Sequence, residues 1–269
     1  MKPASNWTKP PDEWWARLKA REVIKSLKIN HPSEVSIENI AWTQGALVVE
    51  NGLRGCDARL VYTPGVKPAI LRVKKSLSPA GKRRFAIAHE LGHLKLSHNP
   101  GQPTECAEKE FHSWYKDQRG QEVEANIFAA ELLMPESLFA PRSQSSVPSF
   151  QTIESLALDF QTTLTATAIR YVQLCEQKCA VVSSQAGEVS WCWPSPEFHH
   201  WIRRGKKLRG NTYAVDFFEK GIATQQMQEM QDVPLGSWIE GESLSDSIRE
   251  QSRVLFSYGS VLTLLWIDY

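Results

Sequence analysis

Ala88-His-Glu-Leu-Gly-His-Leu94 is the stretch that most restricts what this chain can fold into. Phe85, Ala86, Ile87, Ala88, Leu91, Leu94 and Leu96 surround its polar side chains with apolar residues on nearly every side. A helix that is apolar all round is buried. Burying two histidines and a glutamate without partners is costly. His89 and His93 are four positions apart, so on a helix their imidazoles share one face and reach a single cation. Glu90 points about 100° around the helix from His89. The segment is therefore expected to form a buried helix whose polar edge closes on a metal ion.

Zinc favours neutral imidazole nitrogen, and a catalytic zinc takes three protein ligands and leaves one position for water. Glu90 stands beside such an ion rather than on it, placed to take a proton from the bound water. The spacing is the H-E-x-x-H signature of zinc peptidases. An ordinary amphipathic helix is the alternative, and it must bury the same side chains without a metal to satisfy them.

A third ligand has to come from downstream. The arrangement with Gly three and His six residues after the second histidine fails, because Leu96 and Asn99 stand there. His98 lies about 140° around the helix from His93 and is expected at the helix end, where the dipole favours it. The better candidate lies in Gln121-Glu-Val-Glu-Ala-Asn-Ile-Phe-Ala-Ala-Glu-Leu-Leu-Met-Pro135, which reads as a helix stopping at the proline. On a wheel, Ala125, Ala129, Leu132 and Leu133 form one stripe, and Glu122 and Asn126 fall inside it. Glu124 and Glu131 fall together on the opposite face, as solvated carboxylates. A glutamate on a buried stripe points to metal ligation; the competing reading is a carboxylate favoured by the helix N-terminus. Asn126, one turn on, is placed to hold His89 by its second ring nitrogen.

With these two segments in hand, the chain resembles the ImmA/IrrE family of metallopeptidases. The resemblance rests on Arg83-Arg-Phe-Ala-Ile-Ala-His-Glu-Leu-Gly-His93 and on Glu122 through Pro135, and covers roughly residues 12–185. It implies a gluzincin-like α+β fold, and that Glu122, which opens the second motif, is the third ligand. It also implies substrates that are helix-turn-helix transcriptional repressors, cut in response to DNA damage or related stress. Arg170 matches an arginine recurrent in this stretch of the family; it either polarises the scissile carbonyl or pairs with a carboxylate, and the pairing is favoured.

A net charge of +1 over 269 residues gives no global reason to expect nucleic acid. No apolar run reaches membrane-spanning length, and Met1 to Trp15 has no signal-peptide core, so the protein is expected in the cytoplasm. Five scattered cysteines argue against a disulfide framework. Cys175 and Cys179 read as two buried thiols on one packed helix.

The expected order is a flexible arm over 1–10, a zinc peptidase domain over 11–145, a helix-turn-helix-like segment over 146–179, and a C-terminal region over 180–269 to which the sequence assigns no role, a sensor or a partner-binding region being the candidates. Helices are expected over Pro11–Leu27, from Pro32 to Ala41, from Ser78–Pro79 to about Ser97, over Thr152–Phe160 and over Thr165 to about Gln177. Strands at Ala46–Glu50, Ala58–Tyr62 and Ala69–Val73, with short turns, suggest a small antiparallel sheet packed on the helical zincin-like core. The polar connection at 99–120, with Cys106 and His112, reads as a rim of the cleft. The helical pair carries Arg170 and Lys178 against Glu154, Asp159 and Glu176, too little positive charge for a recognition helix. Strands at Ala180–Ser183, Glu188–Cys192 and Val261–Ile267 make the last region mixed or β-containing. The basic run Arg203 to Arg209 reads as a solvated loop.

The sequence thus leads to a zinc-dependent endopeptidase with one zinc, or another divalent metal, per chain. His89, His93 and Glu122 are its ligands and Glu90 its base. The partner is a protein substrate, and neither direct DNA binding nor a membrane is expected. The competing readings are an antirepressor that holds its partner uncut and a DNA-binding regulator.

Overall fold

The computed structural model describes residues 10–63, 65–98, 120–144, 147–219, 229–242 and 245–268. Apart from Pro10 and Gly120, the expected arm and the expected rim, with Cys106 and His112, lie outside them. The architecture is α+β and divides into two compact units, Met1–Leu138 with Asp159–Thr163, and Phe139–Leu158 with Leu164–Tyr269.

The first unit opens with α1 (Glu13–Ser26), whose N-cap Asp12 accepts the Trp15 N–H. The single helix expected from Pro32 is instead a 3-10 turn, Pro32–Glu34, followed by α2 (Ile37–Thr43). His31 and Glu34 cap each other reciprocally and close that turn early. Three strands follow, β1 (Ala46–Asn51), β2 (Ala58–Val61) and β3 (Ala69–Lys74), in the order β1-β3-β2. The expected antiparallel pairing holds for β2 with β3, but β1 runs parallel to β3, so the sheet is mixed. The cause is burial: Ala69, Leu71 and Val73 make β3 the most apolar strand, and it takes the centre. That leaves β2 at an edge.

Helix α3 (Ala80–Lys95) carries the histidine motif. Pro79 rather than Ser78 stands at its N-cap, and no side chain caps the first turn. Helix α4 (Gly120–Leu133) ends just before Met134-Pro135, as the residue before a proline resists helical geometry. It packs against α3 on one side and α1 on the other. Gly92 is what lets α3 come so close: a Cβ there would lie 3.2 Å from the Cα and carbonyl oxygen of Ala125. Ile37, Leu71, Ile87, Leu91, Phe128 and Leu132 are at the centre of this core.

Helix α5 (Glu136–Ser143) carries the chain into the second unit. There α6 (Phe150–Phe160) and α7 (Leu164–Leu174) form the helical pair. Residues Ala166 to Val172 of α7 are all buried, which suits a structural helix and not one laid in a DNA groove. A five-stranded antiparallel sheet follows, ordered β5-β4-β8-β7-β6. Its strands are β4 (Lys178–Gln185), β5 (Glu188–Pro194), β6 (Gln231–Pro234), β7 (Ser247–Leu255) and β8 (Ser260–Ile267). Ala186 and Gly187, both at positive φ, make the two-residue turn between β4 and β5. Helices α8 (Tyr213–Glu219) and α9 (Leu235–Trp238) complete the unit. Cys175 follows the end of α7 and Cys179 lies in β4, so the two thiols are buried but do not share a helix.

Candidate metal centre

Helix periodicity brings His89 and His93 to one face of α3, where their Nε2 atoms lie 3.0 Å apart. Glu122, in the first turn of α4, closes the triangle. Its Oε2 is 3.2 Å from His89 Nε2 and its Oε1 is 3.4 Å from His93 Nε2. The three residues are the one group of potential metal ligands among the described residues, and both histidines are buried.

The donor set fits a metal ion. Asn126 Oδ1 lies 2.8 Å from His89 Nδ1 and accepts its proton, which leaves His89 Nε2 bare. Two ligand atoms held tetrahedrally at zinc distances of about 2.0–2.1 Å are separated by about 3.3 Å, and the two Nε2 atoms and each Nε2 with its nearer Glu122 oxygen lie close to that separation. Glu122 Oε1 is buried and, beyond the long 3.4 Å approach of His93 Nε2, has no hydrogen-bond partner, so it is another atom that a cation would satisfy.

Electrostatics point the same way. Burial pulls His89 down, but the Glu122 hydrogen bond, the Glu90 and Glu122 charges and Asn126 together raise it. Burial pushes Glu122 up, but His89 and His93, when protonated, donate to it and offset its charge, which holds it well below the usual carboxylate range. The site thus keeps Glu122 ionised and attracts positive charge, which a metal supplies as well as a proton does.

Glu90 is buried beside this cluster rather than in it. Its Oε2 accepts the Leu60 backbone N–H at 2.8 Å. Leu60 lies on β2, and that N–H points off the sheet edge rather than into the β3 ladder. The edge strand therefore holds the carboxylate in place. No sequence signal located this contact, because it depends on strand order.

Two expectations about α4 and the end of α3 are corrected. Glu124 and Glu131 are not solvated, because α1 covers the face opposite the stripe. Glu131 is 1% exposed and accepts from Arg21 Nε at 2.8 Å. Glu124 accepts from the Asp12 N–H and meets His98. His98 does lie at the helix end, as expected, but its side chain is held by His93 and Glu124 rather than left to the helix dipole. The helix stops at Leu96, Ser97 turns left-handed, and the His98 side chain comes back to His93. Burial lowers the pKa of His98 despite the opposing pull of Glu124. Arg170 is buried and partnered on α7 of the second unit.

Residues 43–171 match the family described as the IrrE N-terminal-like domain, a peptidase family. A search of curated proteins finds no match. Among solved structures, a Mycobacterium tuberculosis transcriptional regulator aligns with a TM-score of 0.58 at 15% identity, over 93% of this chain and 76% of that one. At that identity the likeness shows the fold alone.

Proposed function

We propose that the chain, whose residues 43–171 match the IrrE N-terminal-like peptidase family, is a zinc-dependent endopeptidase of the ImmA/IrrE kind making one limited cut in a helix-turn-helix repressor. The observation that carries this reading is the triangle of His89, His93 and Glu122 with an intact Glu90 beside it. A bound zinc would lower the pKa of a water and polarise the scissile carbonyl. Glu90 takes the proton of the attacking water and returns it to the leaving amine. The Leu60 N–H orients that carboxylate, and the outer edge of β2 offers backbone groups to an extended peptide.

A cytoplasmic setting suits a repressor as substrate, and among the described residues no helix is long and apolar enough to cross a membrane. Arg170 is assigned the structural role of pairing with a carboxylate.

The test is incubation of the pure protein with repressors encoded beside it, with zinc and with a chelator. One repressor should be cut at a single site, with zinc alone. Casein digestion at rates comparable to digestive zinc proteases would overturn the limited-cleavage reading. Tight complex formation without any cut would favour a holding antirepressor.

A further inference from the structure

His93 is backed by a chain of hydrogen bonds that leaves α3 and ends on a carboxylate of α4. Its Nδ1 lies 2.9 Å from His98 Nδ1, and His98 Nε2 lies 2.8 Å from Glu124 Oε2. The other oxygen, Glu124 Oε1, accepts the Asp12 N–H at 2.7 Å, which fixes the carboxylate to the start of α1. The backbone builds this deliberately tight corner: His98 N–H donates to the His93 carbonyl at 3.0 Å across the left-handed Ser97. Both rings are buried.

A neutral imidazole donates from one nitrogen and accepts at the other, and an ionised carboxylate only accepts. Glu124 therefore places the His98 proton on Nε2 and makes His98 Nδ1 an acceptor. His93 must then donate from Nδ1, and its Nε2 is left bare toward His89 and Glu122. We infer that His98 and Glu124 are positioning residues that lock His93 in its metal-binding tautomer, as Asn126 does for His89. This rests on the metal centre proposed above. The two ligand histidines are thus set by different devices: an amide on α4 for His89, and a histidine–carboxylate pair for His93.

Two measurements on the full chain test it. Zinc affinity by chelator competition should fall roughly 10–100-fold in His98→Ala, the usual cost of losing such a support. Glu124→Gln should lose less, since its amide oxygen still accepts. His98→Asn puts an amide oxygen where Nδ1 stands and should regain most of the affinity despite losing Glu124. Independently of any variant, nitrogen NMR of the histidine rings in metal-free wild-type protein should show His93 protonated on Nδ1 and His98 on Nε2. Undiminished zinc affinity in His98→Ala, no recovery in His98→Asn, or a His93 with no proton on Nδ1 would each overturn the inference and leave the site intact. Absence of zinc binding by the wild type, or full binding by His93→Ala, would overturn the site itself and this inference with it.

Discussion

Glu90 and Glu122 are carboxylates of one site with different duties, and carboxamide substitution separates them. Glu122→Gln removes the charge that closes the ligand triangle, so metal content measured by elemental analysis should collapse, as it should in His89→Ala. Glu124→Gln, two residues on and on the opposite face of α4, should still bind stoichiometrically, though less tightly. Glu90→Gln leaves all three ligands in place, so it should hold full metal and still bind the repressor. Its cleavage should fall by about 10²–10⁴-fold, the usual worth of a general base. Normal cleavage by that variant would remove Glu90 from the mechanism. At this scale spacing carries far: a four-residue interval and a wheel suffice to bring His89, His93, Glu122 and Asn126 together, where the structure places them. His98 and Glu124 escaped the same arithmetic. The wheel assumes that the helix continues past Leu96 and that α4 has one wet face, and neither holds.

Among the elements, the α3–α4 contact matters most, because each helix supplies part of the ligand set. Gly92 sits where the α4 backbone approaches, and an added methyl would meet Ala125 Cα and O and Phe128 Cδ1, each at 3.2 Å. Alanine in a helix gains about 1 kcal/mol over glycine. Overpacking against a backbone that cannot swing aside costs typically 1–3 kcal/mol. The second effect should win, so Gly92→Ala should melt roughly 2–8 °C lower and bind zinc more weakly as the helices part. A higher melting temperature would show slack between α3 and α4. The glycine is visible in the motif, but its reason is not, since the approach of α4 is a tertiary fact. Strand order was hidden for the same reason. Short turns announce β2 and β3 as a hairpin, yet nothing in the turn after β1 says that β3 will come between β1 and β2.

For the chain as a whole, the first unit was far more legible than the second. Its apolar periodicities are strong, whereas β7 reads Ser-Ile-Arg-Glu-Gln-Ser-Arg-Val-Leu and buries Glu250, Gln251 and Ser252. A strand whose interior positions are polar gives no alternation to find, and β6 is only four residues long. β4, β5 and β8, rich in Val, Leu and Trp, were found. The structure shows what the polar positions of β7 do. Glu250 accepts from the Ala214 N–H at 2.6 Å, from Trp238 Nε1 at 2.9 Å and from Ser252 Oγ at 3.0 Å, tying α8 and α9 to the sheet.

That buried carboxylate makes the second unit sensitive to pH in a particular direction. Burial raises the pKa of Glu250, and its donors, Trp238 first, offset this only in part. A carboxyl whose folded pKa exceeds its unfolded one binds its proton more tightly in the fold. Its contribution is fully present below the unfolded value, about 4.5, and is lost as pH rises through the folded value. Glu250→Gln is nearly isosteric, keeps an acceptor, and has no charge to bury. Other groups titrate alike in both proteins, so the difference between their melting temperatures isolates Glu250. In metal-free protein, that difference should move in favour of the glutamine variant as pH rises from 5 to 8. A constant difference over that range would mean that Glu250 titrates in the fold as it does in the open chain, and that its donors fully compensate its burial.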